Sequence, residues 1–241
     1  MYLAGVVGTG LLLTRLRQAA VVLAFPIAYY IVAGSGYRVF ARDMIPVLPF
    51  LCVTAGWLIV AVVHAIVGPN RPKARAWLTV SAALTVVAPS LRNVILLDRL
   101  LMRPDNRVVV ARALPALIPS GSLVYHSGES YGRVPFYLSD PPLNVDVSEY
   151  NDATGRFVPD GRLPAWIILQ RSPLVLYSRV PDAVERIARE RYALVRSFPV
   201  VNDGRIRLYD QQDALFMPLA GLAGVERIGP GFEIYRLRET Q

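Results

Sequence analysis

Four long apolar stretches occupy most of the first hundred residues. None of them contains Asp, Glu, Lys or Arg, and they cover residues 1–14, 18–37, 44–70 and 76–91. A helix that spans a membrane needs about 20 mainly apolar residues, so the second and third stretches are long enough as they stand. The fourth reaches that length by continuing past Arg92 and Asn93. We therefore predict four transmembrane helices, at about residues 1–14, 18–37, 44–67 and 76–97.

The pattern changes to that of a soluble domain from about residue 98. Asp105 is suited to cap a helix that runs to Leu117, and Pro181 is suited to start a second helix that ends at Tyr192. Short apolar or alternating runs between these helices predict strands. The predicted strands are residues 122–126, 164–170, 193–198, 205–210 and 232–238. Helices that alternate with strands predict a small α/β domain.

Three details of this domain follow from local sequence signals. The run 164–170 is apolar enough for a buried central strand, and 232–238 alternates like an edge strand. Residues 193–198 and 205–210 are predicted to pair, because Asn-Asp-Gly between them is a turn signal. The stretch 139–162 is rich in Pro, Gly, Asp and Asn and is predicted to be a long loop.

Composition agrees with a membrane protein. The chain has 241 residues, of which 54% are apolar and only 18% are charged, whereas a soluble domain usually carries about 25% charged residues. So apolar a chain can bury ample surface, which excludes disorder. A disulfide scaffold is excluded as well, because the single cysteine, Cys52, lies in an apolar run.

The net charge of +8 belongs almost entirely to residues 1–102, which carry nine Lys or Arg and two acids. A basic excess between apolar helices argues against a nucleic acid partner and fits cytoplasmic loops. The first and third loops together carry five positive charges (Arg15, Arg17, Arg71, Lys73 and Arg75). The second loop carries Arg38 and Arg42, offset by Asp43.

This asymmetry predicts that the first and third loops are cytoplasmic. The predicted fold is therefore a membrane all-α segment of about four transmembrane helices, residues 1–97, followed by a small extracytoplasmic α/β domain, residues 98–241. We expect a multi-pass protein of the inner or plasma membrane, in contact with membrane lipids.

Few motifs of known chemistry are present. The sequence contains no Walker loop, no GxGxxG after a predicted strand and no HExxH. His64 and His126 are too few and too far apart in sequence for a metal cluster, so no metal ligand is predicted.

One segment at the start of the third span is more informative. Arg42 is predicted to lie just outside the membrane, and Pro46 and Pro49 follow it three residues apart. This resembles the Arg-Tyr-x-x-Pro-x-x-Pro signature of membrane glycosyltransferases that use polyprenyl-phosphate sugars. That superfamily includes the protein O-mannosyltransferases and the aminoarabinose–lipid A transferases. Asp43 stands where the family has tyrosine.

Two later segments are similar to the same family. The sequence PDNRVVVAR at 104–112, followed by IPSGS at 118–122, resembles the start of the family's extracytoplasmic domain. The sequences FMPLAG at 216–221 and GPGFEIYRL at 229–237 resemble a common bacterial ending of these enzymes. The order and spacing of the three segments extend the resemblance over residues 36–238.

The resemblance implies a catalytic acid in the first extracytoplasmic loop of a complete enzyme, acting as general base on the acceptor hydroxyl. It also implies cationic groups or a divalent metal that stabilise the leaving lipid phosphate. No acid precedes Asp43 in this sequence. We therefore expect the chain to correspond to the last four spans and the C-terminal domain of such an enzyme. Alone it would be inactive, and an N-terminal transferase portion would be its partner.

Two sets of candidate binding residues follow. Arg42, with Arg38 about one helical turn earlier, is predicted to hold the phosphate of the polyprenyl-phosphate sugar, because a guanidinium binds phosphate through a fork of donors. The second set lies in a polar, aromatic loop after strand 122–126, and we expect it to line an acceptor site. Its members are Tyr125, His126, Glu129, Tyr131 and Arg133.

Three functional hypotheses remain open on sequence alone. The first is the C-terminal part of a membrane glycosyltransferase that moves a sugar from a polyprenyl-phosphate carrier to an extracytoplasmic acceptor. The second is a non-catalytic, membrane-anchored periplasmic module that binds glycans or a protein partner. The third is a free-standing enzyme that uses Asp43 and Arg42 together at the membrane face.

Overall fold

The structure, a computed structural model, describes residues 1–36, 41–211 and 216–238, except for the side chains of Ala41 and Arg42. The chain forms two compact units, Met1–Ile95 and Leu96–Gln241.

The first unit is helical. Its helices are α1 (Tyr2–Leu12), α2 (Leu16–Gly34), α3 (Leu48–Ile66) and α4 (Pro72–Leu101), and a 3-10 helix, Ala41–Val47, leads directly into α3. By length and composition, three of these helical regions are able to cross a membrane: those containing α2, α3 and α4. The sequence predicted four transmembrane helices. The three long apolar regions are confirmed, but the predicted first span is α1, which has 11 residues, or about 16 Å of helix, and is shorter than a span.

Two glycines allow α1 to pack closely on α3. A Cβ atom on Gly8 would lie 2.2 Å from the carbonyl oxygen of Thr54, and one on Gly5 would lie 2.8 Å from that of Leu51. The Thr54 side chain is fully buried, and its hydroxyl donates to the Gly5 carbonyl oxygen at 3.0 Å. Small residues and hydroxyl hydrogen bonds are what helices use to associate where lipid removes the hydrophobic driving force.

The second unit is built on a six-stranded mixed sheet with the order β3-β2-β1-β4-β6-β5. The strands are β1 (Leu123–His126), β2 (Asp146–Asn151), β3 (Arg156–Val158), β4 (Trp166–Arg171), β5 (Tyr192–Phe198) and β6 (Gly231–Leu237). Strand β1 lies at the centre and is parallel to both of its neighbours, β2 and β4. Strand β6 is antiparallel to both β4 and β5.

Helices cover both faces of this sheet. Helix α5 (Asn106–Ala113) packs on the face that carries Ile168. A short helix, α6 (Val175–Ser178), precedes α7 (Asp182–Arg191), which packs on the face that carries Ile167 and Leu169. Successive residues of β4 thus alternate between the two layers, and all three are fully buried.

Polar contacts fix these helices to the sheet. The Asp105 carboxylate accepts the backbone N–H of Arg107 at 2.8 Å and so caps α5, as the sequence predicted. At the end of β4, Arg171 donates to both carboxylate oxygens of Glu185 in α7, at 2.8 and 2.9 Å. Its Nε also donates to Glu233 of β6 at 2.7 Å.

The strands predicted at 122–126, 164–170 and 193–198 and the helices predicted from Asp105 and Pro181 are confirmed. Residues 205–210, however, form no strand of the sheet. Their one strand-like pairing is an isolated β-bridge between Tyr209 and Pro218. The partner of β5 is β6 instead, paired antiparallel from Tyr192 with Leu237 to Phe198 with Phe232.

Two further predictions were wrong. The run 232–238 was expected at an edge, but β6 is internal, between β4 and β5. The stretch 139–162 was expected to be a loop, but it contains β2 and β3. Strand β2 exposes most of its side chains and buries only Ser148, so the apolar alternation that would reveal a strand is absent from it.

Candidate functional site

A polar cavity of about 310 Å³ lies at the carboxyl ends of β1 and β2, against Leu176, Arg179 and Pro181 of the segment that follows β4. The chain leaves the central strand β1 towards β2 on one side and returns to β4 on the other. In open α/β sheets, this reversal of strand order opens a crevice at the carboxyl ends of the strands, where ligands bind. Its polar and aromatic lining includes Tyr125, Glu129, Arg133, Glu149, Tyr150, Asp152 and Arg179.

Four of the five predicted acceptor-binding residues line this cavity: Tyr125, His126, Glu129 and Arg133. The fifth, Tyr131, lies outside it. The Tyr131 side chain is exposed, and its carbonyl oxygen accepts a hydrogen bond from Arg107 Nη1 at 2.6 Å. Acceptor binding by this group stays a prediction, now attached to a defined space.

His126 closes the loop 127–133 rather than offering a free nitrogen to a ligand. The backbone N–H of Val134 donates to Nε2 at 3.0 Å, so Nδ1 carries the proton and donates to the Ser127 carbonyl oxygen at 2.7 Å. The ring is buried and packs edge-on against two phenylalanine rings. Burial lowers the pKa of His126 to about 4, so the imidazole is neutral at physiological pH.

Gln170, near the end of β4, packs against the same loop, residues 127–133. A Cβ atom on Gly128 or Gly132 would lie 2.2 or 2.1 Å from the Gln170 amide, so these loop positions leave no room for a side chain. Gln170 Nε2 donates to Ser178 Oγ at 2.6 Å, and its backbone N–H donates to Ser127 Oγ at 2.8 Å. Sequence reasoning missed Gln170, although a glutamine that ends an apolar strand is a signal of a buried polar contact.

Five charged side chains line the cavity: Glu129, Glu149, Asp152, Arg133 and Arg179. Arg133 is fixed in place, because its Nε donates to the Gly128 carbonyl oxygen at 3.0 Å. Since His126 is neutral, carboxylates outnumber guanidinium groups by one. The lining therefore offers hydrogen-bond acceptors and donors in nearly equal measure.

Two tyrosines add aromatic surface and hydroxyl groups. Tyr125 and Tyr150 both pack edge-on against Phe157, with ring centroids 5.4 and 5.1 Å away. Burial raises the pKa of Tyr125 to about 12, with nearby Arg133 acting in the opposite direction. Tyr125 therefore keeps its proton at neutral pH and is able to donate a hydrogen bond.

The sequence analysis missed four lining residues that carry polar groups: Glu149, Tyr150, Asp152 and Arg179. The first three belong to β2 or follow it directly, in the stretch expected to be a loop, and only the topology brings them beside the end of β1. Arg179 lies between α6 and α7 and carried no motif.

The predicted lipid-phosphate site is described only in its backbone. Arg38 lies outside the described residues, as does the side chain of Arg42. The backbone of Arg42 belongs to the 3-10 helix Ala41–Val47. The two prolines of the sequence signature lie where a helix begins, Pro46 in this 3-10 helix and Pro49 in the first turn of α3.

The two later sequence segments, at 104–122 and 216–237, meet at the base of α5. Asn106 is fully buried, and its Nδ2 donates to the carbonyl oxygens of Pro230 and Phe198, at 2.7 and 3.1 Å. Gly229 has a φ of +104°, and a Cβ atom there would lie 2.6 Å from Asp105 Oδ1. These segments therefore hold the domain together and do not line the cavity.

No group of three or more His, Cys, Asp or Glu is placed to hold a metal ion in the described part of the chain. The acidic residues of the cavity do not fit a metal centre, and no step is assigned to a metal. No protein-family model, curated protein or solved structure matches this chain.

Proposed function

We propose that this chain is the acceptor-binding, C-terminal part of a membrane glycosyltransferase that uses a polyprenyl-phosphate sugar. In this proposal its cavity binds a polyhydroxylated carbohydrate acceptor outside the cytoplasm. The observation that carries the proposal is the convergence of three carboxylates, two guanidinium groups and two tyrosines on one cavity at the carboxyl ends of parallel strands.

This lining matches the chemistry of sugar hydroxyls. Each hydroxyl both donates and accepts, so it is satisfied by a carboxylate such as Glu149 and a guanidinium such as Arg133 on either side. Hydrogen bonds to charged groups are roughly twice as strong as neutral ones. Tyr150 offers an aromatic surface for the apolar face of a sugar ring. The volume, about 310 Å³, is at the small end of ligand pockets.

The transferase role is supported by the membrane-type helices and by the three sequence segments. The general base would come from an N-terminal portion of the enzyme and would take the proton of the acceptor hydroxyl as that oxygen attacks the anomeric carbon. The bond from that carbon to the lipid phosphate breaks, and the phosphate leaves with the bonding pair. Arg42, together with Arg38, would stabilise the charge of the leaving phosphate.

Binding is testable with the full chain in lipid nanodiscs. The chain is screened on an array of defined oligosaccharides, and the best binder is titrated by calorimetry. The double variant Glu149→Gln/Asp152→Asn should bind at least tenfold more weakly, because a hydrogen bond to a charged group contributes about 1.5–3 kcal/mol. Asp146→Asn is the matched control, since Asp146 is exposed at the opposite end of β2. An array without binders, or equal affinity in the double variant, would refute the carbohydrate site.

A second candidate function, glycan binding without transfer, is favoured by one observation: every side chain that lines the cavity belongs to the unit Leu96–Gln241. Liposomes that contain the chain and a polyprenyl-phosphate sugar separate the possibilities. Sugar binding without transfer, even with an N-terminal portion added, supports the module. Transfer by the chain alone, abolished by Asp43→Asn, would instead make it a free-standing enzyme.

A further inference from the structure

A second cavity, of about 330 Å³, lies at the end of α4 within the unit Leu96–Gln241. The last turns of α4 form one wall, and residues 222–226 form another. The helix itself begins at Pro72 and belongs to a region apolar enough to cross a membrane. The cavity therefore lies on the segment where this helix would leave the bilayer.

The floor of this cavity is apolar and well packed. Leu100, Leu222 and Val225 are buried together, with Leu96 packed against them. An apolar floor beneath a charged rim distinguishes the cavity from a purely solvated surface. It also gives the rim residues a fixed base, because the floor joins the end of α4 to the loop across from it.

The rim is basic. Arg99 lies in the last turn of α4, Arg103 lies two residues beyond its end, and both line the cavity. Nη1 of Arg103 donates to the Glu226 carbonyl oxygen at 2.9 Å, which fixes its guanidinium at the opening. In the part of the chain that the structure describes, neither arginine forms an ion pair with a carboxylate.

The one carboxylate among the lining residues is that of Glu226, and it has other partners. It accepts a hydrogen bond from the Asn202 amide and lies 3.8 Å from a guanidinium nitrogen of Arg227. Arg99 and Arg103 therefore line the cavity without a carboxylate of their own to pair with. Arginines that only extend their guanidinium groups into water need neither a cavity nor an apolar floor beneath them.

Phosphate is the anion that fits this arrangement best. Guanidinium groups bind phosphate oxygens through paired donors, and two of them on the rim of one cavity are able to hold one phosphate between them. On α4 just before the cavity, Leu91, Val94 and Ile95 are exposed and apolar, as they would be beside lipid chains. Leu101 and Met102, next to the arginines, are exposed as well.

We propose that Arg99 and Arg103 bind the phosphate of an anionic phospholipid, whose acyl chains remain in the bilayer beside α4. The lipid would fix the end of this helix at the membrane surface. The inference is independent of the carbohydrate proposal, because it uses none of the residues of the first cavity.

The test is the thermal midpoint of the full chain in a neutral detergent. A lipid that binds only the folded protein raises the midpoint by mass action. We expect phosphatidylglycerol to raise it by about 5 °C. Phosphatidylcholine, inorganic phosphate and glycerol phosphate should leave it almost unchanged. The double variant Arg99→Gln/Arg103→Gln should lose the response, whereas Arg186→Gln/Arg191→Gln, which removes two exposed arginines of α7, should keep it.

Native mass spectrometry of the unaltered chain supplies a second measurement that does not depend on the folding of a variant. Retention of phosphatidylglycerol over phosphatidylcholine supports the site. Equal retention of the two lipids would overturn the proposal, as would an equal midpoint shift in the Arg99→Gln/Arg103→Gln chain. A shift of the same size with inorganic phosphate alone would assign the cavity to a soluble phosphate compound and would overturn the lipid source.

Discussion

His126 shows how a single buried residue shapes the candidate site although neither of its ring nitrogens is free to bind a ligand. Both of its ring nitrogens are hydrogen-bonded to the backbone at the two ends of the loop 127–133. That loop carries Glu129 and Arg133 into the cavity. The sequence indicated a polar loop at this point, but it could not show that the imidazole holds the two ends of the loop together.

The neutral imidazole makes folding stability depend on pH. The pKa of His126 is lowered from 6.5 to about 4 in the folded chain, so the unfolded chain binds more protons between these values. Stability is therefore full above pH 6.5 and decreases as the pH falls towards 4. Between pH 7 and pH 5 the loss should be about 2 kcal/mol, seen as a lower thermal midpoint.

The control for this pH effect is His126→Gln. Its thermal midpoint should be lower at pH 7, because the two hydrogen bonds are altered, but it should change much less between pH 7 and pH 5. Glu185, whose pKa is lowered chiefly by its hydrogen bonds to Arg171, loses its stabilising charge only below its usual pKa of 4.5. An unaltered pH dependence in the Gln variant would show that another group is responsible.

At the scale of elements, the contact between α1 and α3 is the most sharply defined feature of the helical unit. Gly8→Ala would place a Cβ atom 2.2 Å from the Thr54 carbonyl oxygen, so the two helices would have to separate. We expect a loss of about 1–3 kcal/mol, as for other overpacking substitutions. The measurement is the thermal midpoint in detergent micelles.

Gly10→Ala is the matched control on the same helix, because a Cβ atom there meets no other atom within 4 Å. It should leave the midpoint unchanged or raise it slightly, since alanine favours a helix by about 1 kcal/mol over glycine. Equal midpoints for the two variants would mean that α1 does not pack on α3 through Gly8.

Helices and strands were predictable from the sequence where their buried residues follow a simple pattern or their ends carry a clear signal. Strand β4 was found from its continuous apolar run, and α7 was found from Pro181 and the acids of its first turn. Strand β2 was not found, because it exposes polar residues on both sides of Ser148. Glu149, Tyr150 and Asp152 were missed with it, so one side of the cavity depended on a pairing that no local pattern reveals.

For the whole molecule, hydropathy identified the long apolar helices, and the alternation of elements identified the α/β class. The order of strands was not predictable, because β6 crosses from the C-terminus into the sheet between β4 and β5. The crevice at the end of β1 arises separately, because β2 lies on one side of β1 and β4 on the other. The cavity is thus a property of topology, whereas the residues after β1 were recognisable from local sequence alone.

Carbohydrate binding in the cavity beside β1 and β2 is the basis of the proposed function. The most direct measurement is photo-cross-linking of the full chain, held in nanodiscs, with a diazirine derivative of the oligosaccharide that binds best on the array. Mass spectrometry then maps the labelled peptides. We expect saturable labelling within residues 125–133 and 149–152, competed by the unmodified sugar. Labelling confined to other segments, or labelling that the free sugar does not compete, would contradict it.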